Sequence, residues 1–246
     1  MQEARDYMRS LERSRTALTR KDRPSVFTMY GREWDLFPEV FAPIYSPATG
    51  ISMDFLGLSE SVEVPRTGSL LEIGCGTGVI AVSAALAGCE RVVASDINPA
   101  AVLNAAANAA RHDVFEQVHT VRSDLFGGLD EGERFDTIFW NSNYVLAPED
   151  YEYGSVHECA YVDPGYAAHR RFLAEAPGWL TPTGSVLLHF STRGDLVSLL
   201  RIAGEAGRRV RTVQSVVVQE GAHQVEHMLL EVTPAQAPAR RTAAAR

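Results

Sequence analysis

Leu71-Glu72-Ile73-Gly74-Cys75-Gly76-Thr77-Gly78 decides how this chain is read. The apolar run SLLEIG, beginning at Ser69, has the length of a strand buried on both faces, and GVIAVSAALAG after it has the spacing of a buried helix. The glycines therefore fall at a strand-to-helix junction. Glycine there lets the backbone approach a ligand closely, and the helix N-terminus beyond offers free amides. A dinucleotide fingerprint requires glycine at its first, third and sixth positions. Here the glycines stand at 74, 76 and 78 and Val79 takes the sixth place, which disfavours pyrophosphate, as does the acidic Glu72 just upstream.

Outward from that junction the chain alternates strand and helix patterns. RVVASD, VHTVRSD, FDTIFWN and GSVLLHFS read as strands; PAAVLNAAANAARH, a segment around 166–177 and another from about Gly194 to Ala206 read as helices. This order predicts an α/β, doubly wound, Rossmann-like fold with a mostly parallel sheet and helices on both faces. RTVQSVVVQE and VEHMLLEVT, joined through Gly221, predict an antiparallel hairpin at one sheet edge. Residues 1–20 place Ala4, Tyr7, Met8, Leu11 and Leu18 at helical spacing, an amphipathic helix. Between Arg23 and Gly50 the aromatics and prolines predict short strands and turns. The expected division is an N-terminal helix and aromatic cap over 1–50, a ligand-binding domain over 51–233 and a disordered tail over 234–246.

The acid of Glu72 suits a ligand carrying a cationic amine and a sulfonium, which points to S-adenosylmethionine. A second strand ends in Ala94-Ser95-Asp96, where a carboxylate is placed to accept both hydroxyls of a ribose, with Ile97 beside it. Asn98-Pro99 then supplies a helix N-cap and a first-turn proline. The third strand ends in Ser123-Asp124-Leu125-Phe126; Asp124 could accept from an adenine amino group and Leu125 or Phe126 could flank the ring.

In this order and at these spacings the segments resemble the class I S-adenosylmethionine-dependent methyltransferases over roughly residues 69–232. The resemblance implies a seven-stranded sheet whose last strand runs antiparallel, and a cofactor site built from Glu72, Gly74, Cys75, Gly76, Gly78, Asp96, Ile97, Asp124, Leu125 and Asn141. The fourth strand runs into Asn141-Ser142-Asn143-Tyr144, which is similar to the N-P-P-Y motif of the HemK-like release-factor glutamine methyltransferases and related amino methyltransferases. That likeness implies that the Asn141 oxygen and the Ser142 carbonyl accept hydrogen bonds from the target nitrogen while the Tyr144 ring packs against it. A planar nitrogen must point its lone pair at the methyl for in-line displacement, so orientation is the chemistry required. Ser142 and Asn143 replace both prolines, which predicts a less rigid turn with added hydrogen-bonding groups. More weakly, Tyr30-Gly31-Arg32-Glu33-Trp34 and Pro47-Ala48-Thr49-Gly50 resemble that family's segments before the first helix, without their usual arginine and acid. Glu158, Asp163, Gly165, Arg171 and Leu180-Thr181-Pro182-Thr183-Gly184 follow the order of its later segment.

Hydrophobic residues make up 46% of the 246 and charged residues 22%, which excludes wholesale disorder and a membrane-spanning chain. The charged N-terminus lacks a secretory pattern, so a cytoplasmic location is expected. Cys75, Cys89 and Cys159 are odd in number and lack C-x-x-C spacing, against a disulfide framework or zinc site. The net charge of −8 is uneven: residues 1–23 hold seven basic and four acidic groups and residues 236–246 three arginines, leaving an acidic body between. Such a body argues against nucleic acid. With the altered motif, it leads to the expectation of a small-molecule acceptor methylated on nitrogen or oxygen, with a protein glutamine as the alternative and a non-catalytic S-adenosylmethionine-binding module as the second. His157 beside Glu158 is a candidate proton acceptor. His189 reads as a core or sheet-end residue, His223 and His227 have no evident partner, and no spacing forms a metal cluster. Arg170, Arg171 and Arg193 could hold an acidic substrate, though solvated helix charges are the preferred account.

Overall fold

An N-terminal helix, α1 (Gln2–Thr19), leads into a hairpin of β1 (Val26–Met29) and β2 (Arg32–Asp35) and then a short helix, α2 (Ala48–Phe55). The alternating body follows as β3 (Ser69–Ile73), α3 (Val79–Leu86), β4 (Arg91–Asp96), α4 (Pro99–Arg111), β5 (Val118–Arg122) and β6 (Phe135–Asn141). A short parallel pair, β7 (Leu146–Ala147) and β8 (Asp163–Pro164), precedes α5 (Ala167–Glu175), β9 (Leu180–Ser191), α6 (Leu196–Glu205) and the closing hairpin β10 (Arg208–Glu220) and β11 (His223–Pro234). The structure is a computed structural model and describes residues 2–59 and 67–235, the side chains from residue 7 onward. The tail expected to be disordered lies outside the described residues beyond 235.

The main sheet has seven strands in the order β10-β11-β9-β6-β3-β4-β5. β3, β4, β5, β6 and β9 pair in parallel, and β11 runs antiparallel to both its neighbours. Strand order reverses between β3 and β6, so the crevice at their carboxyl ends is the natural ligand position. β3 shows why its sequence is apolar throughout: Leu70 packs on the α3 and α4 side, whereas Leu71 and Ile73 pack on the α5 and α6 side.

Residues before position 50 do not stand apart from this body. Phe27, Trp34, Leu36 and Val40 share one core with α3 and α4. Asn104 and Asn108, both fully buried on α4, receive the Phe37 and Asp35 amides at 2.8 and 2.7 Å and donate back to the Asp35 carbonyl. Buried amide side chains are tolerated there because each is hydrogen-bonded. α2 begins at Ala48, inside the stretch read as strands and turns, and runs across position 50. Its Thr49, Gly50 and Ile51 are poor helix formers; packing of the buried Met53 and Phe55 holds the helix instead.

α1 forms where its periodicity predicts, but its inward face differs. Met8 is 57% exposed, while Ser10, Leu11, Ser14 and Ala17 are buried. The helix docks on a polar 3-10 turn, with Ser10 Oγ donating to the Tyr161 carbonyl at 2.9 Å, so serines rather than a full apolar stripe face inward. No helix among the described residues is long and apolar enough to cross a membrane.

Close packing of α3 on α4 depends on Gly78, whose φ of 79° is left-handed and where a Cβ would lie 2.8 Å from the Ala105 backbone. We expect Gly78→Ala to destabilise the fold by about 1–3 kcal/mol, combining overpacking with backbone strain. Urea unfolding of the purified variant measures this, and an unchanged midpoint would contradict it.

Candidate active site

At the end of β3 the chain turns through three left-handed glycines, Gly74, Gly76 and Gly78, with φ of 66°, 55° and 79°. The turn is held by Cys75 N donating to the Ser95 carbonyl at 3.0 Å and Gly78 N to the Cys75 carbonyl at 2.8 Å. Nothing lies within 4 Å of the place where a Cβ on Gly76 would sit, so this turn presents bare backbone to open space. The Trp140 indole stands beneath Gly74, 3.5 Å from its Cβ position, a contact the sequence did not signal.

Glu72 is buried, and its Oε2 accepts from the Ala81 amide in the first turn of α3 at 2.8 Å. Burial holds its carboxyl well above the usual carboxylate range, against the pull of the Ala81 amide, and the neighbouring charge of Asp96 raises it further. Asp96 ends β4 and accepts Gly76 N on Oδ2 at 2.9 Å and Asn98 N on Oδ1 at 2.8 Å. Burial raises its carboxyl too, while the Asn98, Gly76 and Ile97 amides hold it back. A carboxylate has about four lone-pair sites, more than these amides fill, which leaves acceptor capacity for a diol. Asn98 caps α4, accepting from Ala100 N at 3.0 Å as its sequence position predicts.

Leu125, buried and left-handed at φ 54°, faces the same cavity, and its carbonyl accepts from Ser123 Oγ at 2.6 Å. Asp124 is exposed and its carboxylate is engaged by Arg171 at 2.7 Å. Burial also pushes the Cys75 thiol far up, so its contribution is backbone. The cavity has a volume of about 1130 Å³ and joins the glycine turn, Asp96 and Leu125 to the Asn141–Tyr144 loop.

That loop follows β6, where Asn141 lies in register with His189 on β9. Ser142 donates through Oγ to the His189 carbonyl at 2.9 Å, and Asn143 Nδ2 donates to the Cys159 and Val162 carbonyls at 2.9 and 2.8 Å. The turn expected to loosen without its prolines is thus held by three side-chain hydrogen bonds. The Tyr144 carbonyl accepts from Tyr166 OH at 2.6 Å, and that hydroxyl in turn accepts from Asp195 N. Among the described residues the Asn141 side chain has no hydrogen-bond partner, and it lines the cavity with Tyr144.

His157 is buried, not solvated. Its Nδ1 meets Ser14 Oγ of α1 at 2.7 Å, and burial with the nearby Arg23 charge lowers its pKa to about 4. The ring ties the cavity wall to α1 through Nδ1, while its buried Nε2 has no hydrogen-bond partner among the described residues. Residues the sequence did not bring together lie behind Tyr144. Ser52 Oγ meets His189 Nδ1 at 2.7 Å, His189 Nε2 meets His227 Nδ1 at 2.9 Å and His227 Nε2 meets Glu220 Oε1 at 2.7 Å. Arg193 grips the other oxygen of Glu220 at 2.5 Å. These groups come from α2, β9, β11 and β10, and no local pattern links them.

A seven-stranded sheet with a lone antiparallel β11, a glycine cradle at its switch point and an acid ending the next strand define a class I S-adenosylmethionine-dependent methyltransferase. The family model for ribosomal protein L11 methyltransferase matches residues 47–147. A Methanocaldococcus jannaschii protein, named as a candidate protein N5-glutamine methyltransferase, is 31% identical over 174 residues, covering 69% of this chain and 82% of that protein. The release factor glutamine methyltransferase of Bordetella pertussis is 31% identical over 177 residues, and that of Agrobacterium fabrum 32% over 151. The matches cover 66% and 57% of this chain but only 63% and 51% of those two enzymes. Among solved structures, the Thermus thermophilus 16S rRNA N2 G1207 methyltransferase shares the fold at a TM-score of 0.58 and 20% identity, over 84% of this chain and 49% of that one. This chain belongs to the HemK-like protein N5-glutamine methyltransferase family.

The relatives' names overturn the expected small-molecule acceptor. The physical grounds for that expectation fall as well. An acidic body disfavours phosphates but says nothing against a polypeptide, and the replaced prolines are compensated by the hydrogen bonds of Ser142 and Asn143.

Two measurements check this description. Asn143→Ala removes both carbonyl contacts and should lower stability by about 1–3 kcal/mol, read by urea unfolding. His157 is neutral in the fold down to about pH 4, whereas an unfolded ring takes a proton near 6.5. Below 6.5 the unfolded state binds more protons, so its contribution is full above that pH and is lost as pH falls toward 4. Unfolding free energy should decline over this window, and the decline should be shallower in His157→Gln; an identical slope would refute it.

Proposed function

We propose that this chain methylates the side-chain amide nitrogen of a glutamine in a protein, using S-adenosylmethionine. The observation that carries the reading is the Asn141–Tyr144 loop, which opens onto the same cavity as the glycine cradle in a chain related to protein N5-glutamine methyltransferases. When bound, S-adenosylmethionine supplies a methyl carbon already made electrophilic by its sulfonium sulfur. The donor set suits it: Asp96 for the ribose hydroxyls, Ile97 and Leu125 for the faces of the adenine, and Glu72 with the 74–78 backbone for the amino-acid end. Asp124 would have to share its carboxylate with Arg171 to accept from the adenine amino group.

On the acceptor side, the Asn141 oxygen and the Ser142 carbonyl accept the two amide N–H bonds of the glutamine. Tyr144 packs against the amide plane, so the nitrogen faces the cradle. An amide is a poor nucleophile, and alignment is the main resource; a near-attack pose contributes up to roughly 7–11 kcal/mol. As the nitrogen takes the methyl, the carbon–sulfur bond would break with its electron pair staying on sulfur, leaving S-adenosylhomocysteine, and one amide proton would pass to water in the open cavity. Residues 51–233 carry this chemistry in the reading, and α1 with the aromatic segment caps the acceptor end through Arg9, Arg13 and Ala17.

Incubation with methyl-labelled S-adenosylmethionine and a protein fraction containing release factors, followed by peptide mass spectrometry, tests the reading. Label on a glutamine amide is expected; label confined to other residues or to non-protein material would refute it. Asp96→Ala should weaken S-adenosylhomocysteine binding by about 10-fold or more, one lost charge-assisted pair of bonds. Asn141→Ala should leave that affinity nearly unchanged and lower kcat by about 100-fold. Calorimetry and single-turnover kinetics separate the two.

A further inference from the structure

The acceptor end of the cavity carries a charge imbalance that the methyl-transfer site does not use. Glu220, at the tip of the β10–β11 hairpin, is the shared carboxylate of two arginines: Arg193 at 2.5 Å, from the turn after β9, and Arg13 at 3.9 Å, from α1. Its other oxygen takes the bond from His227. One set of tautomers satisfies that whole chain: Ser52 donates to His189, His189 to His227 and His227 to Glu220. Glu220 is a carboxylate, held low by the His227 hydrogen bond and the Arg193 charge despite its burial. One negative charge thus faces two guanidiniums. Arg9 and Glu12, which α1 also brings to the cavity wall, offset each other, and Arg20 is spent on Asp22 at 2.7 Å.

Two further observations mark the surplus charge. Arg193 Nε is buried and has no hydrogen-bond partner among the described residues. Arg13 is lowered from its ordinary pKa, first by burial and then by the charge of Arg193, so the pair repel each other. The arrangement is also built against the acceptor motif. Arg193 N donates to Ser191 Oγ, and a Cβ on Gly194 would lie 2.2 Å from the Tyr144 carbonyl. The turn bearing Arg193 therefore rests directly on the last residue of the loop.

We infer that Arg13 and Arg193 form an anion subsite that takes a carboxylate side chain of the acceptor polypeptide, one or two residues from the target glutamine. At about 3.3–3.6 Å per extended residue, such a neighbour reaches past Tyr144 when the glutamine lies at Asn141. A guanidinium pair suits a carboxylate because its planar donors match the two oxygens. Glu220 keeps the subsite assembled, and the His227–His189 chain fixes Glu220 from behind. This specificity rests on the glutamine reading for the identity of the neighbouring residue, though binding of the carboxylate is measurable without turnover.

The test uses the full chain loaded with S-adenosylhomocysteine and two blocked peptides that differ in one residue, acetyl-Gly-Glu-Gln-Gly-amide and acetyl-Gly-Gln-Gln-Gly-amide. Calorimetry at low salt should show the glutamate peptide binding about tenfold more tightly, the scale of one charge-assisted pair. That preference should fall to within about twofold in Arg193→Gln and in Arg13→Gln, while Arg193→Lys retains part of it. Unchanged S-adenosylhomocysteine affinity in each variant shows that the fold and cofactor site are intact. Equal binding of the two peptides, no binding of either, or a preference that survives both glutamine substitutions would overturn the subsite. Methyl transfer to the same peptides is a separate readout: binding with the expected preference but no methylated glutamine overturns the glutamine reading and leaves the subsite standing.

Discussion

The approach of α3 to α4 at Gly78 is the constraint on which the rest of the site depends. With the Ala105 backbone where a Cβ would be, only glycine lets the two helices close. That closeness sets where α3 begins, and hence where Gly74 and Gly76 must turn left-handed to meet it. Glu72 pins the first turn of α3 through Ala81, and Asp96 takes the Gly76 amide. Packing on one face of the sheet thereby fixes a hydrogen-bonding surface at the carboxyl ends of its strands.

The acceptor side obeys a different logic. Proline rigidity is replaced by hydrogen bonds reaching 16 to 47 residues along the chain, from Ser142 to His189 and from Asn143 to Cys159 and Val162. Each bond contributes only about 1 kcal/mol net, but the loop is anchored at successive residues and its backbone has little freedom left. His189 links this loop to the interior of the protein: its carbonyl holds Ser142 and its ring joins Ser52 to His227 and Glu220. The loop and the charged cluster beyond Tyr144 therefore share one support.

Local signals carried the parts of this molecule whose physics is local. The strand order up to β6, the N-cap of Asn98, the hairpin turn at Gly221 and the position of Asp96 at the end of its strand all rest on periodicity or on residues adjacent in sequence, and each lies where its pattern placed it. α2 escaped because its first residues are weak helix formers rescued by burial. Met8 was assigned inward because helical spacing cannot say that the docking surface is a polar turn. His157 was read as a candidate proton acceptor beside Glu158 because nothing near it in sequence announces Ser14, 143 residues away. The acceptor was misjudged because the loss of two prolines is visible locally and the hydrogen bonds that replace them are not.

The sequence by itself determined the class of fold, the glycine turn at its switch point and the Asn141–Tyr144 loop, since glycine placement, strand-end acids and that spacing are written in short segments. Only the tertiary structure decided which groups surround that loop. Arg13, Arg193, Glu220 and the two buried histidines come from an N-terminal helix, three C-terminal strands and the turn after β9, and they meet because the sheet places β11 beside β9 and β9 beside β6. Charge compensation depends on distance in space, and residues 207 positions apart acquire it only when the chain is folded.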